Sequence, residues 1–370
     1  MDTFFPIIEH LAEHLKKDGA VREAKIGWHC HLTALTELSA RALLAGGAEL
    51  FISECNRDTT DPRAVERMLK AGITIFEGIN SPQEVLKCRP ILLADTGLVL
   101  ITEHVKNCTG RNGEVIAASE ITTSGITRLR LMESLTLPVV NINDGLLKTR
   151  IENFHGVGDG VVELLRRITG RSWSGARAAV IGFGSVGAGV AQYLKKEGAL
   201  VTVVERNPSL RLIAHYDGYG IAALSSALAE SELIVTATGK VGLLKTGEWQ
   251  TIRDGALVVN VGHWRDELDL ECLRLLASGC QKVNEHIEEF TLSTTEGREK
   301  RVYVACDGSP ANIVLLTGSI EPTLIHLTTE ALCLAYLARH GRQLEAGETP
   351  IPPEVEAKAS ELALRALGIE

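Results

Sequence analysis

The sequence predicts an α/β protein built of two doubly wound parallel-sheet domains. Short apolar runs alternate with helical patterns from residue 25 to about 310, the signature of parallel strands wrapped by helices. A second βα series begins at Ala176, after a glycine-bearing segment at 152–175 that marks a boundary near its start. A long helical pattern at 321–341 follows and is expected to cross back to the first domain. Residues 1–153 and 321–370 are therefore assigned to one domain and 154–320 to the other.

The first elements follow from local pattern. In MDTFFPIIEHLAEHLKKDG, apolar residues at 4, 5, 8, 11 and 15 with acids between them suit an amphipathic helix and not a signal peptide. Strands are expected at 48–53, 73–78, 90–95 and 138–143, and helices at 61–71 and 82–88, where Pro62 and Pro82 stand as first-turn residues. The 152–175 segment reads as a glycine cluster, an amphipathic helix and a turn. GETPIPP, at 347–353, reads as a proline-rich link before a short terminal helix.

Composition narrows the partners to small molecules. A net charge of −9 and a pI near 5.7, with no Lys/Arg cluster, argue against a surface for nucleic acid. No apolar run reaches bilayer length, so no membrane partner is expected. The cysteines at 30, 55, 88, 108, 272, 280, 306 and 333 form neither a Cys-x-x-Cys pair nor a zinc spacing, which suits a reduced cytoplasmic interior. His29 and His31 would share a strand face, but no third ligand is near in sequence. A structural or acid/base histidine is the expectation there, and no metal.

ARAAVIGFGSVGAGVAQYLKKEGALVTVVERNP, at 176–208, places a strand, the loop Gly182-Phe183-Gly184-Ser185-Val186-Gly187, a helix and a second strand ending at Glu205. The glycines allow a tight turn and a pyrophosphate close to the helix N-terminus, and Glu205 stands where adenosine ribose hydroxyls would be gripped. Because strand, loop, helix, strand and acid fall in order, a dinucleotide is expected. A carboxylate at 205 favours NAD, while Arg206 keeps NADP open. The strands of IVTATGK and VVNVGHW end in Thr236, Thr238, Asn260, Gly262 and His263, candidates for the cofactor crevice that could each also be an ordinary loop or cap residue.

NDGLLKTRIEN, at 143–153, sets Lys148 four residues before Glu152, on one helix face. That spacing reads either as a solvated ion pair worth ~0.2–0.5 kcal/mol or as an acid/base pair.

WHCHLT, SECN, AASEITTSG, PVVNINDGLLKTRIEN, the Gly182 loop with Glu205, VTATG and VNVGH follow in an order and spacing that resemble the S-adenosylhomocysteine hydrolase family, from about Gly27 to about Gly318. The resemblance implies a substrate domain, 1–153 with 321–370, closing against a Rossmann NAD domain, 154–320. It implies that tightly held NAD oxidises a ribose 3′-hydroxyl, which acidifies the 4′ hydrogen. The thiol is then eliminated, water adds and the ketone is reduced again.

By position, Lys148 matches the lysine that takes the hydroxyl proton, and Glu152 stands where the family has a shorter supporting Asp. Asp95 matches the acid placed for the 4′ proton, His31 a histidine near the leaving thiol and attacking water, and His263 one beside the substrate's 5′ side. Asn153 matches a polar residue beside the nicotinamide, and Asn312 is assigned to NAD as well. Thr122, Thr123 and Ser124 would reach across the cleft to NAD, although SEITTSG also reads as a Ser/Thr helix cap. Thr33, Thr36, Glu120 and Ile121 are assigned to the substrate.

Departures from the family cluster on the substrate. Ile121 replaces the second of two adjacent acids, the one that holds the ribose hydroxyls, and Val157 replaces a cysteine near the nicotinamide. Gly318-Ser319-Ile320 stands for a Gly-His-Pro near the adenine, and ALRALGIE lacks the Lys/Tyr tail that completes a neighbouring subunit's NAD site. The expectation is therefore an adenosylhomocysteinase-like enzyme acting on a thioether or nucleoside-like substrate other than adenosylhomocysteine. A simple dehydrogenase releasing NADH and a non-catalytic NAD-binding regulator are the alternatives. A homodimer or other homo-oligomer is expected.

Overall fold

The computed structural model describes residues 4–107, 115–262, 265–293 and 297–369. It divides into two compact units, Met1–Glu152 with Ile320–Glu370, and Asn153–Ser319. The first unit begins with β1 (Lys25–Cys30), β2 (Glu49–Glu54), β3 (Thr74–Phe76), β4 (Leu92–Asp95), β5 (Ala117–Glu120) and β6 (Pro138–Asn141). The second contains β7 (Arg177–Ile181), β8 (Leu200–Val204), β9 (Gly220–Ile221), β10 (Leu233–Thr236), β11 (Ala256–Asn260), β12 (Ala277–Asn284), β13 (Ile287–Ser293) and β14 (Glu299–Ala305). The chain returns to the first unit through the helix Ile320–His340, the short strand β15 (Gly347–Pro350) and the helix Pro353–Leu367.

In the first unit the strand order is β15-β6-β5-β4-β1-β2-β3, and every pairing is parallel. Helices Ile7–Asp18, Ala34–Ala45, Ile320–His340 and Pro353–Leu367 pack into one apolar layer. Ser81–Lys87, Val99–Asn107 and Thr123–Leu129 contribute to another. Both faces being covered, β4, β5 and β6 are buried throughout, which explains their apolar runs. Leu324, Leu334 and Leu337 of the return helix are fully buried, each contributing about 1.5–3 kcal/mol relative to exposure. Chain order reverses between β1 and β4, so the carboxyl ends of these strands frame the crevice where an open α/β sheet binds ligands.

The second sheet runs β12-β13-β14-β11-β10-β7-β8-β9, with its switch between β7 and β10. Its parallel strands end in an antiparallel extension, β12 against β13 and β13 against β14. The expected βα alternation does not foretell this extension, because hairpin strands with one exposed face carry polar residues such as Gln281, Lys282 and Glu289.

Two further local readings are corrected. The glycine cluster that opens 152–175 does not stand ahead of the helix. Gly158 and Gly160 lie inside the helix Val157–Thr169, where added Cβ atoms would stand 2.8 Å from the Gly189 carbonyl oxygen and 2.7 Å from that of Thr317. They serve close packing. GETPIPP is not only a link, since Gly347–Pro350 adds a parallel edge strand to β6, and an edge tolerates proline.

Candidate active site

The ends of β1, β2, β4, β5 and β6 in the first unit collect the residues expected to act on substrate. His31 follows β1 and half-emerges from the core. Its Nδ1 lies 2.7 Å from Thr59 Oγ1, which itself donates to the Asn56 carbonyl at 2.8 Å. With the threonine proton thus committed, Nδ1–H must donate, and the Nε2 lone pair accepts only the weak hydrogen bond of the Cys55 thiol at 4.0 Å. Burial, helped by the Lys148 charge, pushes the His31 imidazole down to about 4, so it is neutral at physiological pH. Burial pushes the Cys55 thiol up to about 12, so it stays protonated. Thr33 caps the helix Ala34–Ala45, accepting from Thr36 N at 3.2 Å, while Thr36 Oγ1 donates to the His31 carbonyl at 2.7 Å. Both hydroxyls thereby fix the turn that carries His31.

Asp95 ends β4 fully buried, its oxygens accepting from Thr96 N at 2.9 Å and Ile101 N at 2.7 Å. Glu120, beside it at the end of β5, accepts from Gly97 N, Leu98 N, Thr122 N and Thr122 Oγ1. Burial raises both carboxyls above their ordinary range, and Asp95 adds repulsion at Glu120. Glu120 thus clamps the turn after Asp95, where Leu98 has a φ of 61°, instead of presenting free oxygens to a ligand. A Cβ on Gly125 would lie 2.2 Å from the Glu120 carboxyl carbon, which is why a glycine opens that helix turn. Ile121 is half-buried against the main core.

Thr122 is the N-cap of Thr123–Leu129, accepting from Gly125 N at 2.9 Å, and Thr123 Oγ1 donates to Asn143 Oδ1 at 3.0 Å. Ser124 Oγ donates to Thr122 Oγ1 at 3.2 Å, so the run makes the helix cap that the sequence allowed.

Lys148 and Glu152 lie in Leu147–Gly156, which forms a π-helix and not the α-helix their spacing suggests. Such wider turns recur at functional sites because the extra residue per turn re-aims side chains. Lys148 Nζ stands 2.9 Å from Glu152 Oε2, with only 10% and 17% of the side chains exposed. This is an ion pair without hydrogen-bond angles, and its burial removes the solvated-surface reading.

The return helix adds two residues the sequence reading missed. His326 and Glu330 are buried beside Lys148, whose charge acts on both. Burial lowers the His326 imidazole well below its ordinary value and pushes the Glu330 carboxyl up to about 8. A His and a Glu four residues apart, on one face of a helix whose buried positions are mostly Leu and Ala, were the available signal.

Folded Glu330 holds a proton that the unfolded chain, with an ordinary carboxyl near 4.5, has released, so its contribution is full below about 4.5 and lost as pH rises through about 8. Glu120 shares this direction. The thermal midpoint is expected to fall between pH 6.5 and 8, and Glu330→Gln to flatten that fall. An unchanged slope in calorimetry counts against a buried neutral carboxyl.

In the second unit the Gly182 loop sits at the switch between β7 and β10. Gly182 has a φ of 97°, and a Cβ there would lie 2.7 Å from the Ala237 carbonyl oxygen. A Cβ on Gly187 would fall 1.9 Å from the Gly182 carbonyl oxygen, so this glycine lets helix Ser185–Lys196, which begins with Ser185, Val186 and Gly187, press on the strand. Gly184 faces open space within 4 Å. Glu205 accepts from Phe183 N at 2.7 Å, holding an acid at the loop, and Asn153 Nδ2 donates to Ser185 Oγ at 3.0 Å.

Thr236 and Asn260 are fully buried and joined at 3.3 Å, while Asn260 also donates to the Gly308 carbonyl and accepts from Gly262 N. Thr238 N and Oγ1 donate to Glu267, a buried acid absent from the sequence reading. These residues shape the strand ends, and their side chains are occupied within the protein. Asn312 Oδ1 is shielded with no hydrogen-bond partner among the described residues, and so can receive a donor. His263 lies outside the described residues.

An open glycine cradle at a helix N-terminus, a nearby acid and an unpaired amide oxygen fit a dinucleotide. Residues 153–317 match the family model described as S-adenosyl-L-homocysteine hydrolase, NAD binding domain. Over nearly its whole length the chain is similar to S-adenosyl-L-homocysteine hydrolases. It is 28% identical to an adenosylhomocysteinase of Aquifex aeolicus, over 99% of this chain and 90% of that protein. It is 29% identical to an S-inosyl-L-homocysteine hydrolase of Methanopyrus kandleri, over 99% and 88%. Among solved structures, D-lactate dehydrogenase from Escherichia coli shares 14% identity and a TM-score of 0.41, over 68% of this chain and 78% of that one. By these similarities the protein is an NAD-dependent enzyme of the hydrolase class. Among the described residues, no group of three or more His, Cys, Asp or Glu could hold a metal ion, and no helix is long and apolar enough to cross a membrane.

Proposed function

We propose that the protein cleaves a nucleosyl-homocysteine thioether whose base is not adenine, and that NAD is restored within each turnover. The convergence of His31, Asp95, Lys148 and Glu152 at the first unit's switch point carries this reading. Bound NAD supplies a hydride acceptor that returns the hydride at the end of the cycle. Lys148 takes the proton of the hydroxyl being oxidised, and Glu152 holds it in place. Asp95 removes the proton from the carbon beside the new carbonyl. Its raised carboxyl makes it a stronger base than an exposed aspartate. His31, neutral and with Nε2 engaged only by the weak Cys55 thiol contact, activates the water that adds after the thiol has left.

Two observations support a changed substrate. Ile121 offers no hydrogen bond to a ribose hydroxyl, and Ser319 N and Oγ are both bonded to Asp159 Oδ2 at 3.1 Å. Relatives named S-inosyl-L-homocysteine hydrolase supply the first compound to try. We expect the purified protein to release homocysteine from S-inosyl-L-homocysteine with a kcat/KM at least ~10-fold above that for S-adenosyl-L-homocysteine. Chromatography of products decides it, and an equal or reversed preference sinks the changed-base reading.

A further inference from the structure

We propose that His326 and Glu330 form a substrate-binding pair, held for a vicinal hydroxyl pair on the ligand and contributed by the return helix Ile320–His340. This rests on the function proposed above, since it names the part of that substrate the pair grips.

The observations are geometric. His326 is 4% exposed and Glu330 1%, and they stand four residues apart, on one face of the helix. None of His326 Nδ1, His326 Nε2, Glu330 Oε1 or Glu330 Oε2 has a well-formed hydrogen bond among the described residues. The Trp28 indole N–H lies close enough to Glu330 to favour its charged form, yet it closes no well-formed hydrogen bond either. Buried polar atoms are nearly always paired, so a cluster of unpaired donors and acceptors indicates a missing partner.

Its position tells where that partner sits. The helix ends against the start of β5, where Gly341 meets Ala117 and Ile116, so its first half lies over the strands' carboxyl ends. There His326 and Glu330 have Lys148 as a neighbour, and Glu330 also senses Asp95. A hydroxyl delivered to Lys148 therefore comes within reach of the pair.

Its chemistry tells what the partner is. Both groups are neutral near pH 7, so the pair offers donors and acceptors without net charge. That suits a neutral diol, which donates and accepts, and suits neither an amino-acid ammonium nor a carboxylate. The strands beneath are already satisfied: Glu120 is spent on backbone and Ile121 is apolar.

The test uses the NAD-loaded protein and measures affinity by calorimetry for S-inosyl-L-homocysteine, inosine, adenosine and their 2′-deoxy forms. Wild type should bind ribosyl forms at least ~10-fold tighter than the deoxy forms, in the range of a lost hydrogen bond at a built polar site. Glu330→Leu and His326→Phe should abolish that preference, and Glu330→Gln should restore part of it. Ligand-free Glu330→Leu should also melt above wild type, since an unpaired buried carboxyl is removed; a structural carboxyl would give the opposite shift. Full diol preference in both apolar variants overturns the proposal. Diol-dependent binding of nucleosides without any thioether binding leaves the pair standing and removes the thioether reading. No binding of any compound by wild type overturns both.

Discussion

Replacing Lys148 with Met is expected to leave NAD bound and to slow its reduction by substrate at least ~100-fold, the usual scale of a lost general base. The change keeps length and apolar bulk at a position only 10% exposed, so packing survives. It removes the cation that faces Glu152 and acts on His31, His326 and Glu330. Glu152 then lies buried without its partner, and a few degrees of lost thermal stability are expected alongside the catalytic loss. Single-turnover absorbance of NADH reads the chemical step directly. A near-native rate would return Lys148 to a purely structural ion pair.

Gly184→Val is expected to abolish NAD retention while the protein folds normally. Gly184 has φ −72° and ψ −171°, a backbone that any residue adopts, and its Cβ would meet nothing within 4 Å. That free space is where a pyrophosphate would lie against the helix N-terminus, so the added methyls displace ligand and not protein. Gly187→Ala is the contrast. Its Cβ would fall 1.9 Å from the Gly182 carbonyl oxygen, and it is expected to lower stability before it affects binding. Release and quantification of bound nucleotide, with a melting curve, separates the two. Full NAD content in Gly184→Val would contradict the cradle.

The parallel order of both sheets was legible because strands buried on both faces must be apolar runs, and because helices between them fix the hand of each crossover. The glycine loop was legible because the backbone needs glycine at Gly182 and Gly187, while at Gly184 only the approach of a ligand does. The hairpin extension at β12 and β13 was not, since exposed strands lack that apolar signature. Periodicity could not reveal the π-helix at 147–156, because an i, i+4 pair shares a face in either helix type.

At the site, residue types were readable and their partners were not. That Glu120 clamps a backbone turn depends on amides of Gly97 and Leu98, distant in sequence. The tautomer of His31 depends on a chain from Thr59 to Asn56. His326 and Glu330 were hidden in a segment whose leucines explained it fully as a buried helix.

The most direct measurement of an internally recycled cofactor is rapid mixing of the NAD-loaded enzyme with S-inosyl-L-homocysteine, followed by NADH absorbance and homocysteine release in the same sample. The account predicts an NADH signal that rises to no more than the enzyme concentration, holds during turnover and decays as the thioether is consumed, while homocysteine accumulates far beyond it. NADH that accumulates in solution in step with turnover, or homocysteine release with no NADH formed at any time, would contradict it.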